Sequence, residues 1–302
     1  MNALPGLVPR FKICHGLKIR FAHWQPRGQA RGRVLLLQGR AEFLEKYLET
    51  VGDLVARDFE VMSFDWRGQG GSGRLLSDPY KGHVPTYNDY LRDLYTLCGN
   101  WLNESEVPCF LLAHSMGGHI ALRLLANQPR WFQAAMLCCP MVHVITKPYS
   151  QRQAAFIAHG ACYTGFSEEY APQQKQYRFS NMEFENNSLT SDKTRFQRNR
   201  QYLRDSPNLE IGGVTFGWLH ASFQSIRRTH QRDYAQRIST PLLICESDQD
   251  MVVDNRAIRE MVARLPQAKL RQLSPARHEL LQEKDEIRTQ LWHYFDELVA
   301  AT

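Results

Sequence analysis

The stretch that most constrains the fold runs from Phe110 to Leu122 and reads Phe-Leu-Leu-Ala-His-Ser-Met-Gly-Gly-His-Ile-Ala-Leu. Its apolar beginning predicts a buried strand, and the residues from Ile120 onward have the spacing of an amphipathic helix. Ser115 stands between them among small residues, which a tight strand-to-helix turn requires. Such a serine lies at the carboxyl edge of a sheet beside free helix amides. The stretch therefore predicts either a nucleophilic serine or an ordinary turn that happens to contain one.

The sequence on both sides alternates between short apolar runs and helical spacing. Apolar runs predict an opening hairpin at 11–24 and strands at 34–38, 59–65, 134–139, 241–245 and 268–273. Helical spacing predicts helices at 42–57, 86–103, 254–265 and 283–299. This alternation predicts an α/β fold whose mostly parallel central sheet carries helices on both faces.

The alternation stops between residues 142 and 237, where the chain becomes polar and helical. No Gly/Ser-rich linker flanks this segment, so we interpret it as an insertion between two parts of one core, 1–141 and 238–302. It holds 13 Lys/Arg and 8 Asp/Glu, so 13 − 8 = +5 of the chain's +6 formal charge lies there. A basic insertion attracts anionic head groups or an anionic membrane surface.

A second interpretation of that charge is a solvated helix face formed by four arginines, Arg195, Arg198, Arg200 and Arg204. Both interpretations stay open at this stage. A nucleic-acid partner is not expected, because the charge is modest and no reading motif accompanies it.

Two later loops supply the partners that a nucleophilic serine needs. A serine hydroxyl requires a general base, and the base requires an orienting acid. Asp250 follows the strand predicted at 241–245, and His278 follows the strand predicted at 268–273. Because these neighbouring parallel strands end at the edge where Ser115 emerges, we expect the three side chains to meet. The order serine, acid, histidine is that of the α/β-hydrolase arrangement.

The identity of the acid is the less secure part of this triad. Asp248 remains an alternative to Asp250, Glu246 is expected inside the strand, and Asp254 is expected to cap the next helix. Among the histidines, His114 and His119 adjoin the serine, but neighbours in sequence point away from its hydroxyl.

The reaction also needs backbone N–H groups aimed at the oxyanion that forms on the carbonyl oxygen. The amide of Met116 directly follows the serine. Arg40 supplies a second amide after the strand at 34–38, where Gly39 allows close approach. A plain strand-to-helix turn is the other interpretation of Gly39 and Arg40.

Residues 68–73, Gly-Gln-Gly-Gly-Ser-Gly, match the glycine pattern of dinucleotide-binding sites and follow a predicted strand. No helix begins directly after them, and no acidic residue ends a strand about 20 positions later. A turn that supports the neighbouring catalytic loops explains them better. The seven cysteines form no C-x-x-C pair and no ligand spacing, so neither a metal nor an organic cofactor is expected.

Targeting features are absent from the sequence. No run of about 18 apolar residues predicts a membrane span, and no secretory pattern is found. With seven scattered cysteines, we expect a cytoplasmic location, including contact with the inner face of the membrane.

Taken together, these motifs resemble the lysophospholipase and monoacylglycerol lipase family of α/β-hydrolases. The matching residues are Gln38-Gly39-Arg40-Ala41-Glu42 with Tyr47, Phe64 to Gly70, Gly82-His83-Val84 with Tyr87 and Tyr90, Ala113 to Gly118, Asp250 to Asn255, and His278-Glu279-Leu280. The resemblance implies Ser115 as nucleophile, Asp250 and His278 as its partners, the Arg40 and Met116 amides as oxyanion hole, and 142–237 as a cap over the acyl pocket. Two positions depart from the family: Gln38 stands where it has histidine, and Ala113 where it has glycine.

The function hypothesis is a serine hydrolase that cleaves the ester of a lysophospholipid or monoacylglycerol through an acyl-enzyme. Two alternatives use the same triad: a carboxylesterase for small soluble esters, and an acyltransferase. A third is a lipid-binding protein without activity. The cap aromatics Phe179, Phe184, Phe196, Phe216, Trp218 and Phe223 are candidates for an acyl groove or for ordinary core.

Overall fold

Eight strands form the central sheet of the computed structural model, which describes residues 5–302. They are β1 (Arg10–Cys14), β2 (Leu17–Trp24), β3 (Gly32–Leu37), β4 (Phe59–Phe64), β5 (Cys109–His114), β6 (Ala134–Cys138), β7 (Leu242–Ser247) and β8 (Ala268–Leu273). Their spatial order is β1-β2-β4-β3-β5-β6-β7-β8. Strand β2 pairs antiparallel with both β1 and β4, and the other five pairings are parallel.

The helices connect these strands as an α/β fold requires. They are α1 (Leu48–Val55), α2 (Tyr87–Asn103), α3 (Met116–Asn127), α4 (Gln151–Tyr163), α5 (Lys193–Asp205), α6 (Phe216–Thr229), α7 (Arg232–Gln236), α8 (Asn255–Val262) and α9 (Asp285–Ala300). The predicted α/β-hydrolase architecture is confirmed, and the opening hairpin forms β1 and β2.

The helix predicted at 42–57 is shorter than expected. Residues 39–43 form a loop, Leu44–Tyr47 form a 3₁₀ turn, and only then does α1 begin. Ala41 has a φ of 61°, which a helix does not allow. The Leu44 amide is held at 2.9 Å by the carboxylate of Asp65, which lies beyond β4. A long-range hydrogen bond therefore fixes the start of the helical segment at Leu44, which helical spacing alone does not define.

The register of the parallel strands places four loops at one edge. Leu37 of β3 pairs with Ala113 of β5, so the loop after β3 emerges beside Ser115. Ser247 of β7 pairs with Leu273 of β8, so the loops that carry Asp250 and His278 also emerge together. Strands β5, β6 and β7 are buried along their whole length, which explains their continuous apolar runs.

The segment from 142 to 237 contains α4 to α7 and contributes no strand to the sheet. Helices α4 and α6 pack against each other. One isolated bridge, between Gly82 and Val214, joins the segment to the core, and another, between Tyr170 and Thr215, lies within the segment. Its role as a cap remains an expectation from the resemblance.

The four arginines of α5 do not form one solvated face. Arg195 is buried and binds the carboxylates of Glu49 and Asp285, and Arg198 binds Glu49 at 2.8 Å. Arg200 is also buried, and like Arg204 it donates to the Ser180 carbonyl. Helical position alone does not reveal this, because Glu49 and Asp285 come from other elements.

Two further features are the state of the cysteines and the character of the helices. All seven cysteines are free, and six of them are buried. Within residues 5–302, no helix has both the length and the apolar character needed to cross a membrane.

Candidate active site

Ser115 occupies the turn between β5 and α3 in a conformation that side chains rarely adopt, with a φ of 50°. Its amide donates to the Cys138 carbonyl at 3.0 Å, which fixes the turn to the neighbouring strand. A Cβ atom added at Gly117 would lie 2.4 Å from the Gln38 carbonyl oxygen, and one at Gly118 would lie 2.8 Å from Pro140. Small residues are needed here because α3 begins almost in contact with the end of β3.

The structure brings Ser115, His278 and Asp250 into one hydrogen-bonded chain. His278 Nε2 lies 3.0 Å from the Ser115 hydroxyl, and His278 Nδ1 lies 2.8 Å from an Asp250 carboxylate oxygen. The side chains of His278 and Asp250 are 3% and 0% exposed, so water does not compete for this pair. The arrangement suits proton transfer from a serine to a histidine.

The hydrogen bonds of Asp250 keep it charged. Its second oxygen accepts from the amides of Val252 and Val253 at 2.8 and 2.9 Å. Burial alone would raise the pKa of Asp250, but the bond and charge of His278 and these two amides outweigh it and lower the pKa to about 2. The carboxylate is therefore ionised at neutral pH and holds the Nδ1 proton of His278.

The neighbouring acids have other partners. Asp248 accepts from the Ala276 amide and the Ser274 hydroxyl, and so shapes the turn that precedes His278. Glu246 is buried in β7 and binds Arg259, and Asp254 caps α8 as expected. Neither Asp248 nor Glu246 is hydrogen bonded to His278 among residues 5–302.

Cys139 lies against the triad, and its sulfur is within 4.8 Å of the nearest ligand-type atoms of Asp250 and His278. Burial, and then the charge of Asp250, raise the pKa of Cys139 well above its usual value. The thiol therefore keeps its proton, and the other two groups already bind each other. A metal ion would find no free anionic ligand in this trio.

The loop after β3 is shaped to present an amide. The Gly39 amide donates to the carboxylate of Glu42, and the Ala41 amide donates to the Gln69 side chain at 2.7 Å. Neither the Arg40 amide nor that of Met116, the first residue of α3, donates to an acceptor within residues 5–302. Two free N–H groups thus lie on the elements that flank Ser115.

Sequence reasoning missed a buried polar network behind this loop. Lys46 lies between Glu42 and Glu279, at 2.7 and 2.6 Å, and so joins the loop after β3 to the loop of His278. Tyr47 donates to Glu42 at 2.6 Å, and His114 contacts both Glu42 and the carbonyl of the triad histidine. The spacing Glu-x₃-Lys-Tyr was the available signal, since i and i+4 pair on a helical turn.

The network is charged despite its burial. Burial opposes ionisation of Glu42, but the charges of Lys46 and His114 lower its pKa well below the usual value. Burial likewise opposes the charged form of His114, and the Glu42 charge nevertheless raises its pKa. Because its two ring nitrogens face Glu42 and the His278 carbonyl, His114 points away from the Ser115 hydroxyl, as expected. His119 also points elsewhere, with Nε2 2.7 Å from the Ser225 hydroxyl.

Two cavities meet at Ser115. The larger, about 320 Å³, runs between α4, α6 and the loop after β6; its mainly apolar lining includes Met141, Val144, Ile157, Trp218 and Leu219. The smaller, about 160 Å³, has a mixed lining, in which Glu42, Lys46, Tyr177, Asn199 and Glu279 lie among apolar residues such as Phe43, Leu203 and Ile211. Arg40, Ser115 and Val252 line both. Of the predicted cap aromatics, Phe216 and Trp218 line the first cavity and Phe179 lines the second.

Two sequence features lie outside these cavities. The side chain of Gln38 is fully buried and turned toward Ser63 and Asp65, so this departure from the family does not line the site. The glycine-rich turn at 68–73 supports the site indirectly, because Gln69 holds the Ala41 amide.

Known proteins resemble this chain over most of its length. The Hydrolase_4 family model, described as serine aminopeptidase, S33, matches residues 28–285. A probable lysophospholipase L2 of Haemophilus influenzae is 30% identical over 279 residues, covering 90% of this chain and 85% of that protein. The lysophospholipase L2 of Escherichia coli K12 is 31% identical over 290 residues, covering 92% and 82%.

Solved structures share the fold at lower identity. A monoglyceride lipase from Saccharomyces cerevisiae superposes with a TM-score of 0.77 at 20% identity, covering 98% of this chain and 95% of that one. The monoacylglycerol lipase of Paleococcus ferrophilus gives 0.71 at 19% identity, with 94% and 99% covered.

Proposed function

This chain belongs to the serine aminopeptidase S33 family and is a serine ester hydrolase, and we propose that it cleaves the carboxylic ester of a single-chain lipid, a lysophospholipid or a monoacylglycerol. The observation that carries the proposal is the hydrogen-bonded chain from Ser115 through His278 to Asp250 at the end of a largely apolar cavity. The names of its lysophospholipase and monoglyceride lipase relatives support the same substrates.

In the first half-reaction, the Ser115 oxygen attacks the ester carbonyl carbon while His278 Nε2 takes the hydroxyl proton. The carbonyl oxygen becomes negative and is stabilised by the Arg40 and Met116 amides. Asp250 holds the imidazolium that forms. His278 then returns the proton to the leaving alcohol oxygen as the bond to the acyl carbon breaks, which leaves an acyl-serine.

In the second half-reaction, water attacks the acyl-serine and gives its proton to His278. The carbon–oxygen bond to Ser115 breaks, and the serine oxygen recovers the proton. The products are a fatty acid and the free alcohol. None of these steps requires a metal or organic cofactor.

The test is hydrolysis of a lipid panel by the wild type and by Ser115→Ala. We expect the wild type to cleave long-chain lysophospholipid or monoacylglycerol, and the variant to lose this activity. Ser72→Ala is the matched control, because Ser72 is also buried but binds the Asp65 carbonyl and the Arg20 amide. Activity that survives Ser115→Ala contradicts the mechanism.

Chain-length profiling separates the alternatives. A lipase gains rate as the acyl chain grows to fill the apolar cavity, whereas a carboxylesterase for small esters does not. A product esterified to an added alcohol instead of free fatty acid identifies an acyltransferase. Failure of a fluorophosphonate to label Ser115 in folded protein favours a binding protein.

We also propose peripheral contact with an anionic membrane, such as the inner face of the cell membrane, through the outer face of the cap. Phe156 and Tyr163 of α4 are 78% and 86% exposed, and Phe166 follows at 58%. Exposed Arg152 lies on the same helix, and the 142–237 segment carries a formal charge of +5. Exposed aromatic rings beside basic groups are typical of helices that lie in a membrane interface.

Vesicle sedimentation tests this contact. We expect binding to vesicles with anionic phospholipid, weaker binding to neutral vesicles, and a loss in the Phe156→Ser/Tyr163→Ser double variant. Equal sedimentation of the wild type and the double variant would count against α4 as the contact face.

A further inference from the structure

The guanidinium of Arg40 carries a charge that no acidic side chain neutralises. It donates to the Gly212 carbonyl at 2.9 Å and to the Tyr177 hydroxyl at 3.0 Å, both uncharged acceptors. Among residues 5–302, Arg40 forms no ion pair with an Asp or Glu, although it is only partly exposed and lines both cavities at Ser115. Two of its five N–H donors are used, so 5 − 2 = 3 remain.

The acidic groups around Arg40 are already bound to other partners. Of those lining the smaller cavity, Glu42 and Glu279 share Lys46. Glu210 accepts from the Ser180 amide at 2.8 Å and from its hydroxyl, and it also pairs with Arg178.

In the described part of the chain, no Asp or Glu lines the larger cavity, and the lysine in its lining, Lys147, is exposed. The charge of Arg40 is therefore the one left uncompensated beside the nucleophile. A partly desolvated charge of this kind is stabilised when an anion binds to it.

The two proposed substrates differ in the group that such a charge recognises. A lysophospholipid carries a phosphodiester one glycerol unit away from the ester that is cleaved, whereas a monoacylglycerol ends there in a hydroxyl. The Arg40 amide is the proposed donor to the ester oxygen, and the guanidinium lies at the other end of the same residue. A planar guanidinium binds phosphate oxygens with two parallel hydrogen bonds.

We infer that Arg40 is a specificity-determining residue that binds the phosphodiester of a lysophospholipid, so that the site favours this substrate over a monoacylglycerol with the same acyl chain. The inference rests on the proposed function and narrows its substrate class. It assigns Arg40 two separate roles, one for its amide and one for its side chain.

The test compares kcat/KM for a lysophospholipid and a monoacylglycerol of identical acyl chain. In Arg40→Gln, we expect the ratio of the two values to fall at least about tenfold, which corresponds to the loss of one charge-assisted phosphate contact. Arg40→Lys keeps the positive charge but loses the planar guanidinium, so its ratio should lie between those of the wild type and Arg40→Gln. Arg178→Gln is the matched control, since Arg178 is already paired, and it should leave the ratio unchanged. An equal fall for both substrates in Arg40→Gln would overturn the inference.

A second measurement does not depend on lipid hydrolysis. We expect sn-glycerol 3-phosphate to protect Ser115 of the wild type from fluorophosphonate labelling better than glycerol does. Arg40→Gln should abolish the difference. If the wild type hydrolyses neither lipid, the proposed function fails, and the protection experiment still decides the role of Arg40. Equal protection by the two compounds in the wild type refutes phosphate recognition.

Discussion

Replacement of Asp250 by Asn tests the proposed triad most directly, because the structure fixes how the new side chain must sit. One carboxylate oxygen accepts from the amides of Val252 and Val253, and the other faces His278 Nδ1 at 2.8 Å. In Asp250→Asn the amide oxygen must take the first position, so the NH₂ group faces His278. Nδ1 must then accept, and the proton moves to Nε2, where it blocks transfer from Ser115.

The opposite orientation of the new side-chain amide, which would restore the correct histidine tautomer, is unfavourable. It would leave two backbone N–H groups facing an NH₂ group, and each unsatisfied donor costs about 1 to 3 kcal/mol. The variant therefore keeps the wrong tautomer. In serine hydrolases this change lowers kcat about 10⁴-fold, which corresponds to about 5 kcal/mol of barrier.

The assay is kcat for a long-chain ester, with the rate of fluorophosphonate labelling measured in parallel and the thermal unfolding midpoint as a check on folding. Asp248→Asn is the matched control. Its Asn retains both bonds, because the oxygen still accepts from Ala276 and the Ser274 hydroxyl can accept as well as donate. We expect the control to keep near wild-type activity. The reasoning is refuted if folded Asp250→Asn keeps more than about one tenth of kcat, against the large loss that the wrong tautomer imposes, or if Asp248→Asn shows the greater loss.

Three further changes test close packing, open space and the burial of a histidine. Gly117→Ala should lower the free energy of unfolding by at least about 1 to 3 kcal/mol and reduce activity, because its Cβ would meet backbone carbonyls of Leu37 and Gln38 at 2.5 and 2.4 Å. Gly160→Ala, with nothing within 4 Å in α4, should instead be neutral or stabilise by up to about 1 kcal/mol; urea unfolding measures both. Burial, followed by nearby positive charge, lowers the pKa of His119 to about 3, below its ordinary 6.5. Because the folded protein keeps this imidazole neutral, its contribution to the free energy of unfolding is fully present above pH 6.5 and is lost as the pH falls toward 3. Between pH 7 and 5 the wild type should therefore lose about 2 kcal/mol more than His119→Gln, and equal losses would contradict the burial of a neutral imidazole.

The sheet, and the edge where Ser115, Asp250 and His278 meet, were predictable because the patterns that define the strands are local. Continuous apolar runs identify strands that are buried on both faces. Parallel pairing then brings the ends of β5, β7 and β8 to one edge whatever the rest of the chain does. For that reason the order of Ser115, Asp250 and His278 along the chain sufficed to predict their meeting.

The buried ion pairs between different elements were not predictable, because each joins residues far apart in sequence. Arg195 lies at a position where a helical pattern also permits a solvated side chain. The approach of Glu49, 146 residues earlier, and of Asp285, 90 residues later, makes it an internal cation. The same holds for Lys46 and Glu279, which are 233 residues apart.

Arg40 shows how such long-range contacts change the meaning of a motif. The sequence identified it by its amide alone, since the residue after Gly39 suits an oxyanion hole. Its side chain, however, binds Gly212 and Tyr177, 172 and 137 residues later, both inside the 142–237 segment. A displacement of that segment should therefore move the residue whose amide we propose as an oxyanion donor. The proposed oxyanion loop, the proposed phosphate contact and the 142–237 segment are thus joined through one side chain, so we expect substitutions at Tyr177 to alter catalysis although Tyr177 belongs to no motif.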